Sequence, residues 1–180
     1  MKTKLILATQ LVGKTYASKN FKNVTDVDQL KQFSYLNKDI NYIDELLSVV
    51  DSNKYDVVFG WLNDDVVNEL LKKNIEFSII LSKPNDETEN VLRSRAYKQK
   101  YTPFMSNTII KRNALNYYNY IKKPGIAKIF IFEGNVEISD FLYYIGITLV
   151  SNQLKPLLEV VEKTGHVIEL LETGEEKLIF

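Results

Sequence analysis

Apolar residues in this chain come in short continuous blocks, separated by stretches in which they recur at helical intervals. That alternation predicts parallel strands buried on both faces, with helices between them. Lys2–Ala8 reads as a first strand with Leu5, Ile6 and Leu7 as its apolar run, followed by a loop and a short helix. Asn23–Val27 is a brief second strand. Ile40, Ile43, Leu46, Leu47 and Val50 have helical spacing, so Ile40–Val50 is a helix. Tyr55–Trp61 is a third strand, Asn63 or Asp64 caps a helix through Lys73, and Ile75–Leu81 is a fourth strand.

The character changes at Pro84. Residues Pro84 to Lys123 are polar, basic and tyrosine-rich, with helical spacing around Glu89–Lys100 and Asn107–Ile121 and with Pro103 between the two. Pro124 and Gly125 lead into a fifth strand, Ala127–Phe132. A mostly helical region follows Gly134, is interrupted near Gly146, and runs to Lys163. Gly165–Leu171 and Glu176–Phe180 flank a Thr173-Gly174 turn and read as a hairpin. The expected fold is α/β: a sheet of about five parallel strands with helices on both faces, and a helical insertion at about 84–123. A domain of 1–145 is expected to carry a C-terminal helix and hairpin, 146–180, as an appendage.

Composition narrows the chemistry. A chain of 180 residues is long enough for one proper core. The absence of cysteine removes disulfides, thiolate metal sites and thiol nucleophiles, and a single histidine, His166, makes imidazole metal sites improbable. Formal charge is balanced, which implies no general attraction to nucleic acid or to an acidic membrane. No apolar run reaches the length of a membrane span, and the N-terminus lacks a signal-peptide pattern, so a cytoplasmic protein is expected. Lysine, asparagine, isoleucine and tyrosine are abundant, a bias that resembles proteins of AT-rich genomes, phages of low-GC bacteria among them.

One run carries specific chemistry. Ala8–Thr15, Ala-Thr-Gln-Leu-Val-Gly-Lys-Thr, fits the phosphate-loop pattern A/G-x-x-x-x-G-K-S/T and sits between a predicted strand and a predicted helix start. In that setting backbone N–H groups, including those near Leu11, Val12, Gly13 and Tyr16, converge on phosphate. Lys14 reaches the β- and γ-phosphates, and the Thr15 hydroxyl ligates Mg²⁺. The run has one glycine where such loops usually carry two or three, and Leu11 occupies a position that favours left-handed geometry. An ordinary strand–turn–helix with the same spelling is the competing reading. Because ligands of open parallel sheets bind beyond the carboxyl ends of the strands, Asp26, Asp28, Trp61 and Asn63 are further candidates.

With these elements in order, the chain resembles the P-loop nucleotide and nucleoside monophosphate kinase family, most of all small phage-encoded, adenylate-kinase-like members. The resemblance rests on Ala8–Thr15, on Asn23-Val24-Thr25-Asp26-Val27-Asp28, and on the arginine-bearing stretch followed by Glu133-Gly134 and Ser139-Asp140; it spans about 1–145. It implies a three-layer P-loop NTPase fold with ATP and Mg²⁺ as cofactors and a nucleotide as substrate. Lys14 and Thr15 would hold the triphosphate and Mg²⁺, Asp26 or Asp28 would sit beside the reacting phosphates, and Arg93, Arg95 and Arg112 would form a lid. The clustering of all three arginines in one short window supports a lid independently, since a guanidinium fork matches phosphoryl oxygens as lysine cannot. The competing reading pairs them with carboxylates such as Glu89. Asp26 and Asp28 could equally be turn or cap residues, and Trp61 a packing residue rather than a base platform.

Two functions follow from different classes. One is an ATP-dependent phosphotransferase acting on a nucleotide, with a (deoxy)nucleoside monophosphate as acceptor. The other is a catalytically degenerate protein on the same fold, a nucleotide sensor or an inhibitor module, with Tyr117, Tyr118, Tyr120, Tyr143 and Tyr144 as interface and a homo-oligomer or protein partner engaged through the C-terminal region. Nucleic-acid binding ranks third: lysines and tyrosines interleave between Tyr97 and Lys123, but overall charge is neutral.

Overall fold

Side-chain alternation along the strands decides how the layers form. In the computed structural model, which describes residues 2–29, 41–147 and 164–180, β1 (Lys4–Ala8) is paired in parallel with β3 (Val57–Trp61) on one side and β4 (Ser78–Ser82) on the other. Leu5 and Leu7 belong to one core and Ile6 and Ala8 to a second, and all four are buried. β4 splits in the same way, Ile79 and Leu81 against Ile80. So does β5 (Lys128–Glu133), with Ile129 and Ile131 against Phe130 and Phe132. Both faces require a cover, which is why these strands are spelled as continuous apolar runs.

Helices supply that cover. α2 (Tyr42–Asp51), α3 (Asp64–Lys72) and α5 (Pro103–Tyr120) contribute Leu46, Val49, Val66, Leu70 and Tyr120 to the Leu5/Leu7 face. α1 (Lys14–Asn20) and α6 (Ile138–Tyr144) contribute Ala17, Phe141 and Leu142 to the Ile6/Ala8 face. α4 (Asp86–Lys98) packs on α5, with Leu92 and Ala96 of the one and Ile109 and Ile110 of the other buried. Side chains of Asn41, Asn63, Asn85 and Thr102 cap α2, α3, α4 and α5, each worth about 1 kcal/mol. Pro103 lies in the first turn of α5, where its missing N–H costs nothing, so the break expected there is a helix start.

The sheet order is β2-β3-β1-β4-β5-β6-β7, with β2 (Val24–Asp26), β6 (His166–Leu170) and β7 (Glu176–Leu178). Neighbours from β2 through β5 are parallel, whereas β5–β6 and β6–β7 are antiparallel. The C-terminal hairpin is therefore not an appendage to a five-stranded sheet. It extends the sheet to seven strands. Phe132 pairs with Val167, which is buried in the same core, and Phe180 stacks on Tyr144 of α6 with ring centroids 4.1 Å apart.

Smaller corrections have local causes. β4 begins at Ser78 rather than Ile75, because Asn74 turns left-handed (φ 54°) and the Ile75 N–H closes α3 on the Leu70 carbonyl at 3.0 Å. Val27 leaves the second strand for a 3₁₀ turn, Val27–Gln29. Ile40, and the helical stretch expected to run to Lys163 over 148–163, lie outside the described residues. Among the described residues no helix is long and apolar enough to cross a membrane.

Candidate functional site

The chain leaves β1 toward β2 on one side and later passes β1 to reach β4 and β5 on the other. Adjacent strands β1 and β4 thus send their connections in opposite directions, the arrangement that opens a crevice beyond their carboxyl ends. There the buried hydroxyls of Thr9 and Ser82 hydrogen-bond at 3.4 Å, and the Thr9–Gly13 loop begins. Gly13 has φ +95° and opens α1, a conformation that glycine alone adopts cheaply. Having no side chain, it leaves the first-turn N–H groups of α1 uncapped. Leu11 has φ +67°, a left-handed backbone that costs about 1–2 kcal/mol in a residue with a Cβ.

Three other elements hold this loop by its carbonyls. The Gln10 carbonyl accepts from Asn113 Nδ2 of α5 at 3.1 Å, that of Leu11 from Arg95 Nη1 of α4 at 2.9 Å, and that of Val12 from the Ile138 N–H of α6 at 2.9 Å. In a planar trans peptide the N–H opposes the C=O, so the N–H groups of Leu11, Val12 and Gly13 point away from those anchors.

Lys14 and Thr15 then meet the segment after β2. Lys14 Nζ lies 3.2 Å from the Ala8 carbonyl and 3.8 Å from Asp28 Oδ2, with both side chains largely buried. Thr15 faces the Asp26 carboxylate and favours its charged form, and Asp26 Oδ1 accepts the Asp28 N–H at 3.2 Å. Asp26 is 2% exposed. Burial first of all pushes its carboxyl up to about 6, against the pull of Lys14 and with the neighbouring Asp28 adding to the rise. Asp28 Oδ1 is buried without a hydrogen-bond partner among the described residues. Tyr42 reaches the same place: its hydroxyl accepts the Trp61 N–H at 2.7 Å and hydrogen-bonds Asp28. Burial, then the charge of Asp28, hold the phenol far above its ordinary value, so it remains an O–H donor. Gly60 makes room for it, since a Cβ there would stand 3.2 Å from the Tyr42 hydroxyl.

The structure thus gathers the Ala8 carbonyl, Lys14, Thr15, Asp26 and Asp28 of the expected residues. Val12 is buried in the core behind the loop, and Tyr16 is half exposed on α1. The arginines are not brought together. Arg95 spends its donors on Leu11 O, Val136 O (3.0 Å), Asn135 Oδ1 (3.4 Å) and Glu137 Oε1 (3.3 Å), binding the β1–α1 loop to the β5–α6 loop. Arg93 is exposed and donates to Asn107, and Arg112 is exposed on α5. Asn63 is consumed as the α3 cap, Trp61 is half-buried at the end of β3, and His166 is exposed on β6.

Sequence reasoning missed Tyr42, Asn113 and Glu137. Asn113 carried a signal, being a large polar residue on the buried face of α5 that Ile109 and Ile110 share, with 2% exposure. Tyr42 carried none beyond helical spacing. Among the described residues no three acidic or histidine side chains gather as a metal cage. Thr15, Asp26 and the unpartnered Asp28 oxygen nonetheless match the sparse oxygen set that Mg²⁺ uses when substrate phosphates complete its shell. No protein-family model, no curated protein and no solved structure matches this chain.

Proposed function

We propose that the chain is an ATP- and magnesium-dependent phosphotransferase of the P-loop kinase type, acting in the cytoplasm on a nucleotide, with a (deoxy)nucleoside monophosphate as acceptor. The observation that carries this reading is the junction of Lys14 with Asp28 and of Thr15 with Asp26 at the crevice beside β1. Lys14, held in reserve by Asp28 and the Ala8 carbonyl, is the cation that a triphosphate would draw off. Two carboxylates against one ammonium make the pocket unsuited to bare polyphosphate and suited to its divalent-cation complex. Mg²⁺ held by Thr15, Asp26 and Asp28 would neutralise charge on the phosphates. The chain's own part is positioning: Asn113, Arg95 and the Ile138 N–H fix the loop carbonyls.

A second reading, a catalytically degenerate nucleotide sensor or protein-interaction module on the same fold, draws support from Arg95. Its guanidinium is committed to protein acceptors, which leaves the transferring phosphoryl group without that expected partner. Calorimetric titration of a non-hydrolysable ATP analogue with Mg²⁺ into wild type and Lys14→Ala tests the shared premise. Binding lost in the variant is expected, and no binding by wild type would overturn both readings. Turnover of a monophosphate panel with ATP then decides between them, because the sensor binds and does not turn over.

A further inference from the structure

The formal net charge of zero conceals a segregation. From Asn90 to Phe132 the chain contains no Asp or Glu, yet Lys98, Lys100, Lys111, Arg112 and Lys122 are all exposed within that interval. Among the described residues none of these five has an ion-pair partner. Screening confines electrostatic attraction to about 10 Å at 0.1 M salt, so local density rather than net charge decides what such a face attracts.

The same helical pair exposes large apolar groups. Phe104, Thr108, Lys111, Leu115 and Tyr118 follow one helical stripe along α5, and all are exposed. Phe104 is 79%, Leu115 61% and Tyr118 66% exposed, and Tyr97, across the short turn from Phe104, is 83% exposed. The opposite side of α5 is the one that faces inward, through Ile109, Ile110, Asn113 and Tyr120. A merely solvated face would interleave carboxylates with its lysines and keep its aromatics inside.

We propose that the outer face of the α4–α5 hairpin binds single-stranded nucleic acid. Lys98, Lys100, Lys111, Arg112 and Lys122 meet backbone phosphates, while unpaired bases stack on Tyr97, Phe104 and Tyr118. Aromatic faces set among cations suit a strand whose bases are free, because a duplex keeps its bases stacked on each other. At 18 residues, α5 offers a track of about 27 Å. Lys14 is engaged by the Ala8 carbonyl and Asp28 and by none of these residues, so this inference stands or falls apart from the nucleotide reading.

Fluorescence anisotropy of a labelled oligothymidylate, run between about 50 and about 200 mM salt, tests it. Binding is expected to weaken with salt at a log–log slope of about −3, the value for four or five phosphates neutralised on a single strand. The double variant Lys111→Glu/Arg112→Glu should lose at least ~10-fold in affinity with a shallower slope. Tyr118→Ala should lose ~10-fold with the slope kept, and Lys14→Ala should bind as wild type. All three substitutions at the proposed surface replace exposed side chains, and circular dichroism would verify that each variant folds. No binding at low salt would overturn the proposal, as would equal affinity for a duplex with indifference to Tyr118→Ala. So would loss of binding in Lys14→Ala, which would put the phosphates in the loop, or capture of phosphatidylserine vesicles in place of the oligonucleotide.

Discussion

Arg95 Nη1 donates to the Leu11 carbonyl at 2.9 Å, and Leu11 is the residue that carries the loop's strained backbone, φ +67°. The same guanidinium continues to the Val136 carbonyl and Glu137, so one side chain fixes both loops that border the crevice. A charge-assisted bond of about 1.5–3 kcal/mol is enough to offset the left-handed leucine.

Arg95→Lys should therefore be costly although it keeps the charge. An ammonium cannot serve acceptors in three directions from one plane. Urea unfolding should show a loss of about 2–4 kcal/mol, with nucleotide affinity falling alongside. Arg93→Lys, at an exposed position where the guanidinium donates to Asn107, should stay within about 0.5 kcal/mol of wild type. Equal effects at the two positions would contradict the clamp.

Leu11 itself gives a test with opposite signs. Leu11→Gly relieves the positive φ and should leave stability unchanged or raise it by up to about 1 kcal/mol, the gain being trimmed by backbone entropy. Leu11→Val places a β-branched residue in the same geometry and should cost about 1–2 kcal/mol. Thermal melts of the three proteins compare them directly, and a less stable glycine variant would mean that the leucine side chain, not the backbone, dominates.

How much of this was legible in the sequence depends on range. Leu5–Ala8 and Ile129–Phe132 announced buried parallel strands because two-faced burial is written in consecutive residues. The meeting of Ala8, Lys14, Thr15, Asp26 and Asp28 was legible because strand ends in such a sheet share one edge. The partner of Arg95 was not: Leu11 lies 84 positions away, and nothing local distinguishes a guanidinium that grips a carbonyl from one that awaits a phosphate. Nor was the docking of His166–Leu170 on β5, since alternation specifies a strand and leaves its neighbour open.

Asp26 makes stability depend on pH. Its carboxyl titrates near 6 in the fold against an ordinary value of 3.8, so the folded chain holds the proton more tightly. The stability contributed by the protonated form is complete below about 3.8 and is lost as pH rises through about 6. Asp26→Asn removes the buried charge and should stabilise the protein at pH ~8 by on the order of 1–3 kcal/mol, with the gain vanishing near pH ~4. Denaturant unfolding without Mg²⁺ at the two pH values measures this, and a gain of equal size at both would exclude the buried charge as its source.

Tyr42 and Gly60 should prove energetically coupled. The Tyr42 hydroxyl accepts the Trp61 N–H and hydrogen-bonds Asp28, so Tyr42→Phe leaves a backbone donor unmet and a buried carboxylate less solvated. A cost of about 1–3 kcal/mol follows. Gly60→Ala would set a Cβ 2.9 Å from Leu7 Cδ2 and 3.2 Å from the Tyr42 hydroxyl, costing about 1–3 kcal/mol as the neighbours give way. If the alanine acts largely by displacing that hydroxyl, then removing the hydroxyl first removes part of the alanine's penalty. The double variant should accordingly be more stable than the sum of the two single losses by at least about 0.5 kcal/mol in a double-mutant cycle. Strict additivity would instead assign the whole effect of Gly60→Ala to its collision with Leu7 and Leu46 in the core.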